Sequence, residues 1–275
     1  MPDWVEGLLD ALFYGPFFVN ARALWNWCMG LCTGLMTKSP QAFSSETWEF
    51  VTETLYPWSL GIGVACLNLF FIIGFVKAVS NFKENITLEL CIESMIRLVV
   101  ANVLMQTGLT IIQAFFTMAS RLAGQVMWLE EIPMYTTEND IGTHLFWWLF
   151  GFLYFIVALV CAFIIFLTLY GRYIKLYLLV VFYPVAVPAF IAGRGVESAT
   201  YAWLKSFLSN VFEVVVIALV MSIAGRLISE INVSSGFITQ FFDGFEQALN
   251  SLVHIILMTA SVKGASSFLN KSFAL

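Results

Sequence analysis

The stretch "IKLYLLVVFYPVAVPAFIAG" (174–193) decides how this chain is threaded. Its length matches the roughly 20 residues that an apolar helix needs to cross about 30 Å of hydrocarbon. Yet Pro184 and Pro188 stand one helical turn apart inside it. Each proline withholds a backbone donor and its ring crowds the preceding turn, so a straight crossing helix is the conformation this stretch resists. A re-entrant or kinked segment fits better, sheltered among other helices, because only protein or water can satisfy the backbone groups that a break exposes.

Four other segments meet the same length ruler. They are "WSLGIGVACLNLFFIIGFVKAV" (58–79), "SMIRLVVANVLMQTGLTIIQAFFTMA" (94–119), "FWWLFGFLYFIVALVCAFIIFLTLY" (146–170) and "FLSNVFEVVVIALVMSIAGRLIS" (207–229). A fifth, "ALNSLVHIILMTASV" (248–262), is shorter and crosses only if neighbours cover Asn250 and His254. Lys and Arg enrichment of cytoplasmic loops then chooses between five and six crossings. With six, the inside receives Lys77, Lys83, Arg97, Arg172, Lys175 and Arg226, six of the thirteen basic residues. With five, and the proline run returning to its own side, the inside gains Arg194, Lys205, Lys263 and Lys271 and loses Arg226, giving nine of thirteen. The expectation is therefore five crossings, N-terminus outside and C-terminus cytoplasmic.

Composition supports this class. The chain is 60% hydrophobic and 11% charged, with a mean hydropathy of +0.86, more apolar surface than a soluble core of this size could hide. The start, "MPDWVEGLLDALFYG", has acidic residues but no Lys or Arg, unlike the basic n-region of a cleaved signal peptide, so insertion is expected through the internal segments. The net charge of −5 hides an uneven distribution, with Glu130, Glu131, Glu138, Asp140, Glu230, Asp243 and Glu246 expected outside.

The resulting fold expectation is an all-α, polytopic helical membrane protein. Residues 1–54 are expected to form an extracytoplasmic amphipathic N-terminal segment, including an interfacial helix, with a first spanning helix over 11–36 as the rival that Asn20 and Arg22 count against, and residues 55–275 the helical transmembrane domain. Trp4, Trp25, Trp27, Trp48 and Trp58 fit the headgroup level as anchors.

The sharpest polar pattern lies in the second crossing. Asn102, Gln106, Thr110, Gln113 and Thr117 recur at intervals of four, four, three and four, which places them on one helix face. Amides are costly in hydrocarbon, so this face must meet protein or water: polar glue between helices or subunits, or the wall of a wet path. Glu213 in the fourth long segment is an intramembrane acid. No basic partner is visible on its own helix, since Arg226 is roughly 20 Å further along the axis.

Candidate chemistry is otherwise sparse. Cys28 and Cys32 are the one cysteine pair at helical spacing, while Cys66 and Cys161 fall in apolar runs where thiols act as small hydrophobes. His144 and His254 stand alone, without zinc spacing or a nucleophile at motif distance. No catalytic, metal or cofactor residue is expected, no glycine-rich phosphate loop is visible, and no basic patch with interleaved aromatics suggests sequence-specific nucleic-acid binding. "NIT" (85–87) and "NVS" (232–234) match the glycosylation pattern, but on opposite sides of the expected topology.

The block 167–227 carries a further signal: a helix ending in Tyr170, Gly171 and Arg172, an apolar run broken at Pro184 and Pro188, a short polar loop with Arg194, then Trp203 and Lys205 before the next helix. In order and spacing it resembles the central block of TrbL-type polytopic membrane subunits of conjugative type IV secretion systems, in the form carried by integrative conjugative elements of Gram-positive bacteria. "SPQAFSSETWEF" and "TASVKGASSFLNKSFAL" extend the resemblance over most of residues 39–275.

The resemblance implies a non-enzymatic channel or scaffold subunit in the plasma membrane, assembled with copies of itself, with other channel subunits and with cytoplasmic secretion ATPases. It would help a relaxase-bound DNA strand or effector proteins across. Pro184, Pro188, Arg194, Trp203 and Lys205 would then form a gate or contact element. A small-solute or ion channel walled by the amide stripe, and a non-conducting scaffold, stay open as alternatives.

Overall fold

The structure is a computed structural model that describes residues 5, 15–80, 88–127, 141–192, 197–229 and 245–272. Every element among the described residues is helical. In chain order they are α1 (Pro16–Thr37), α2 (Pro40–Phe43), α3 (Ser45–Glu49), a π-helical turn (Phe50–Leu55), α4 (Tyr56–Ser80), α5 (Leu88–Val126), α6 (Ile141–Ala186), a 3₁₀ segment (Val187–Ala192), α7 (Glu197–Ser229) and α8 (Phe245–Ser272). Among the described residues five helical runs are long and apolar enough to cross a membrane: Ser45–Val76, Ile92–Val126, Trp148–Phe190, Ala199–Leu227 and Ser251–Leu269. The count agrees with the sequence expectation, and the boundaries differ in two instructive places.

The first is the proline run. It is not an element of its own, because α6 continues without interruption through Tyr170, Gly171 and Arg172 and is 46 residues long, about 69 Å. The prolines act only at its end. Pro188 has no N–H to offer the carbonyl four residues back, that of Pro184, so the α-helix stops at Ala186 and tightens into the 3₁₀ segment. The second is the N-terminal boundary at 54/55, which falls inside the run Ser45–Val76. Pro57 likewise cannot serve the carbonyl of Glu53, and the preceding turn widens: the Tyr56 N–H reaches back five residues to Val51 O.

The chain divides into two compact units, residues 1–37, 122–170 and 214–269 in one, and 38–121, 171–213 and 270–275 in the other. In the first, α1 buries Phe18, Ala21, Trp25, Cys28, Cys32 and Leu35, a spacing of alternate threes and fours that marks one helix face. That face packs on α6: Phe18 meets Tyr154 with ring centroids 5.3 Å apart, Phe17 meets Phe152 at 5.4 Å, and the Cys28 thiol donates to the Ala162 carbonyl at 3.2 Å. Trp25, expected as an interfacial anchor, is a core residue at 2% exposure, while Trp27 and Trp58 stay exposed. Tyr154 also pairs with the buried Ser251 hydroxyl of α8, and Ser222 of α7 donates to the Val126 carbonyl at 2.9 Å.

The second unit is built around aromatic side chains. Phe116 of α5 packs on Trp48 and on Phe207 of α7, and Trp203 stacks on Phe207 at 5.0 Å. Such pairs add about 0.5–1.5 kcal/mol each beyond the area they bury. Tyr173 and Tyr177 of α6 tie down the polar connection after α1 by donating to the carbonyls of Lys38 (2.8 Å) and Pro40 (2.9 Å).

Candidate membrane-embedded site

The residues that stand out in the second unit form three groups. The first is the proline element. Pro184 and Pro188 are both buried. Gly63 of α4 faces the Pro184 carbonyl so closely that a Cβ there would lie 2.8 Å from the carbonyl carbon. Gly108 of α5 leaves the notch into which the Tyr183 ring fits, and the Tyr183 hydroxyl donates to the Leu104 carbonyl at 2.7 Å. Irregular backbone at membrane depth requires this kind of cover.

The start of α7 completes the element. Thr200 donates to the Ala186 carbonyl at 2.6 Å, at the point where α geometry ends, and the Trp203 indole donates to the Leu179 carbonyl at 3.1 Å while packing edge-on to Tyr183 at 5.1 Å. Of the sequence-derived gate or contact residues, Trp203 thus packs against the end of α6 that carries Pro184, and Pro188 is buried one turn further on, in the 3₁₀ segment. Lys205 is half-buried nearby on α7, and Arg194 lies outside the described residues. The element's outward side chains among the described residues include Phe182 and Phe190 on the α6 side and Tyr201 and Leu204 on the α7 side.

The second group is a buried charge. Arg172, at 4% exposure, donates through Nε to the Asn210 carbonyl at 2.9 Å and through its terminal nitrogen to the Val211 carbonyl at 3.2 Å. Its guanidinium also lies 5.6 Å from the centre of the Tyr173 ring. Glu213, at 8% exposure, is close enough for the two charges to attract. Among the described residues the one ion pair within contact distance is Arg97 with Glu93, on the surface of α5. Arg172 thus faces Glu213 at a longer range than an ion pair, with its own hydrogen bonds made to the Asn210 and Val211 carbonyls. Sequence spacing could not reveal it, because the approach is between α6 and α7.

The third group is the amide stripe of α5. The face of α5 that packs into the unit is Ala101, Met105, Ile112, Phe116 and Ala119. The stripe is rotated from it by roughly 120°. Asn102, Gln106 and Thr110 are exposed, and Gln113 and Thr117 are half-buried. The Thr117 hydroxyl donates to the Gln113 carbonyl of its own helix at 2.9 Å. Asn68 of α4 is a further exposed amide, which the sequence reading passed over. An amide left unpaired in an apolar medium costs roughly 2–7 kcal/mol, so these side chains strongly constrain what covers α5 in a membrane.

Outside the second unit, Cys28 and Cys32 are buried side by side in α1. The hydrogen bond from Cys32 to Cys28 holds the Cys28 thiol below the ordinary range, and the same bond together with burial pushes Cys32 far above it. His254 is half-buried in α8, and the side chains of His144 and Asn250 lie outside the described ones. Among the described residues no cluster of three or more His, Cys, Asp or Glu could hold a metal ion. The "NIT" and "NVS" matches also lie outside the described residues.

Among the described residues every element is helical, and five helices are long and apolar enough to cross a membrane, which defines the class as a helical membrane protein. No protein-family model, curated protein or solved structure matches the chain.

Proposed function

We propose that this chain is a channel or scaffold subunit of a conjugative type IV secretion system, helping to translocate a DNA–protein substrate across the bacterial plasma membrane. In this reading the N-terminus is outside and the C-terminus cytoplasmic. The subunit is not an enzyme and needs no cofactor. It associates with copies of itself, with other channel subunits and with cytoplasmic secretion ATPases that supply the energy, while lipid surrounds its apolar faces. The relaxase-bound strand passes along or beside it.

The observation that carries the proposal is the interlocking of the residues on which the family resemblance rests. Arg172 holds the Asn210 and Val211 carbonyls, Pro184 lies against Gly63, and Trp203 holds the Leu179 carbonyl and packs on Tyr183. The resemblance is thus carried by joints between helices. Positions of that kind constrain a fold more than isolated surface motifs do.

The test is conjugative transfer frequency from a donor with an in-frame deletion of this gene, with and without a complementing plasmid. Loss of transfer that the plasmid restores is the expected result, and normal transfer from the deletion strain refutes the proposal. A conductance from liposomes holding only the purified protein would replace it with the small-solute or ion-channel reading.

A further inference from the structure

We infer that the polar face of α5 is the seam along which two copies of this chain associate, α5 against α5. The inference rests on reading the chain as a self-associating membrane subunit, and it is independent of the cargo.

Depth is the first argument. The stripe occupies the middle of the run Ile92–Val126. From Asn102 to Thr117 it extends about 22 Å, so it fits within about 30 Å of hydrocarbon. Lipid chains offer nothing to an amide there. The side chains of Asn102, Gln106 and Gln113 make no hydrogen bond within the chain among the described residues, whereas Thr107 and Thr117 bond to carbonyls of their own helix. Next to the stripe on the same helix lies a second exposed face, made of Val103, Thr107, Ile111 and Met118, apolar except for Thr107, whose hydroxyl is bonded to the Val103 carbonyl. So α5 presents one face suited to lipid and one that requires a hydrogen-bonding neighbour.

The chemistry of the stripe points to a second copy as that neighbour. It carries no charge, so it gives an acidic or basic partner nothing to pair with. Each amide is at once donor and acceptor, so two identical stripes complement each other. A copy related by rotation about the membrane normal sets Gln106 at the depth of its twin, and likewise Asn102 and Gln113, with no further requirement on the partner. Amide side chains bonding between helices are a recurrent means of association within membranes.

The test uses the full chain with its five native cysteines replaced by alanine and one cysteine introduced, in native membranes, oxidised with copper–phenanthroline and run on non-reducing gels beside the cysteine-free but otherwise unsubstituted chain. Gln106→Cys and Gln113→Cys are expected to give a dimer band that is absent from the cysteine-free chain and from Ile111→Cys, which probes a similar depth on the apolar face. No dimer from the stripe positions, or equal dimer from Ile111→Cys, overturns the inference. So does labelling of Gln106→Cys in intact cells by a charged, membrane-impermeant thiol reagent, which would place the stripe on a water-filled path.

Gln106 and Ile111 are exposed and Gln113 is half-buried, and none of the three belongs to the face of α5 that packs into its unit. A Gln106→Leu/Gln113→Leu variant present at the normal level should migrate as a smaller species on native gels, and unchanged size overturns the inference again. Cross-links through the stripe together with normal transfer from the deletion donor would refute the secretion reading and leave the seam standing. Transfer that requires the gene, without the cross-links, would refute the seam alone.

Discussion

Two glycines one residue apart on α4 should respond to the same substitution with opposite signs. Around Gly61 nothing lies within 4 Å of the place a Cβ would take, whereas at Gly63 that Cβ would stand 2.8 Å from the Pro184 carbonyl carbon and 3.0 Å from the Pro184 Cβ. Alanine in a helix is favoured over glycine by about 1 kcal/mol, so Gly61→Ala should gain up to that amount. Gly63→Ala has the same intrinsic gain, but the obstacle is backbone. Ordinary carbon–carbon contact begins near 3.5 Å, so the two segments would have to part by roughly 1 Å.

Overpacking of this kind typically costs about 1–3 kcal/mol, which leaves Gly63→Ala destabilised and separates the two variants by roughly 2 kcal/mol. For a chain of this size that corresponds to about 4–8 °C between their melting midpoints. The assay is the fraction of detergent-solubilised protein that stays monodisperse after a heat step, with both variants and the parent heated at the same rate because unfolding of such proteins is often irreversible. Indistinguishable midpoints for the two variants would refute the close approach of α4 to the proline element.

Tyr173→Phe and Tyr177→Phe each remove a hydroxyl that donates to the connection after α1, at Lys38 and Pro40. Each should cost about 1 kcal/mol and speed protease cleavage near residue 38, while unchanged cleavage in both counts against the clamp. Arg172→Met removes two charge-assisted bonds and leaves Glu213 without its opposite charge, a loss of about 3 kcal/mol. Arg172→Met/Glu213→Gln should melt above the single variant, and an equal or lower midpoint would show that the two charges do not sense each other. The third concerns pH: the Cys32 thiol is raised in the folded chain by its bond to Cys28 and by burial. The unfolded chain gives up this proton first, near pH 8.5, so the thiol's contribution to stability is present below that pH and lost as pH rises past it, by at most about 1.4 kcal/mol per pH unit. Cys32→Ala alone would leave Cys28 raised by burial, so it is Cys28→Ala/Cys32→Ala that should flatten the fall in melting temperature at alkaline pH, and an unchanged slope refutes the assignment.

Much of this architecture is legible in the sequence because hydropathy and helical period are local properties. The five long apolar runs, the stripe from Asn102 to Thr117 and the conformational break at Pro184 and Pro188 all follow from residues within one or two turns of each other. What sequence reading mistook was continuity. A polar Tyr170–Gly171–Arg172 between two apolar runs looks like a loop, because hydropathy measures transfer to lipid and takes no account of a guanidinium buried against two carbonyls. The Arg172–Glu213 proximity, the Gly63 and Gly108 notches and the Tyr clamps on Lys38 and Pro40 are tertiary, and no spacing along the chain encodes them. The exposure of the amide stripe belongs to the same class: period shows that the residues share a face, and only packing shows that this face is turned away from the core of its own unit.

The packing also limits how the proline element could work as a gate. A 3₁₀ segment ending a long helix is a natural hinge, since its hydrogen bonds are poorer than those of an α-helix. Movement at that hinge would strip the Tyr183 hydroxyl from the Leu104 carbonyl and Thr200 from the Ala186 carbonyl, and would draw the Pro184 carbonyl away from Gly63. Inside a bilayer each freed carbonyl needs a new donor, and lipid supplies none. Opening is therefore cheap only if α4, α5, the end of α6 and the start of α7 move together, with Arg172 carrying α7 along through Asn210 and Val211. Among the described residues the exposed side chains at that end include Phe182 and Phe190 of α6 and Tyr201 and Leu204 of α7, so an external trigger would act through side chains of this group, and the buried prolines would set the axis of the motion without touching the trigger.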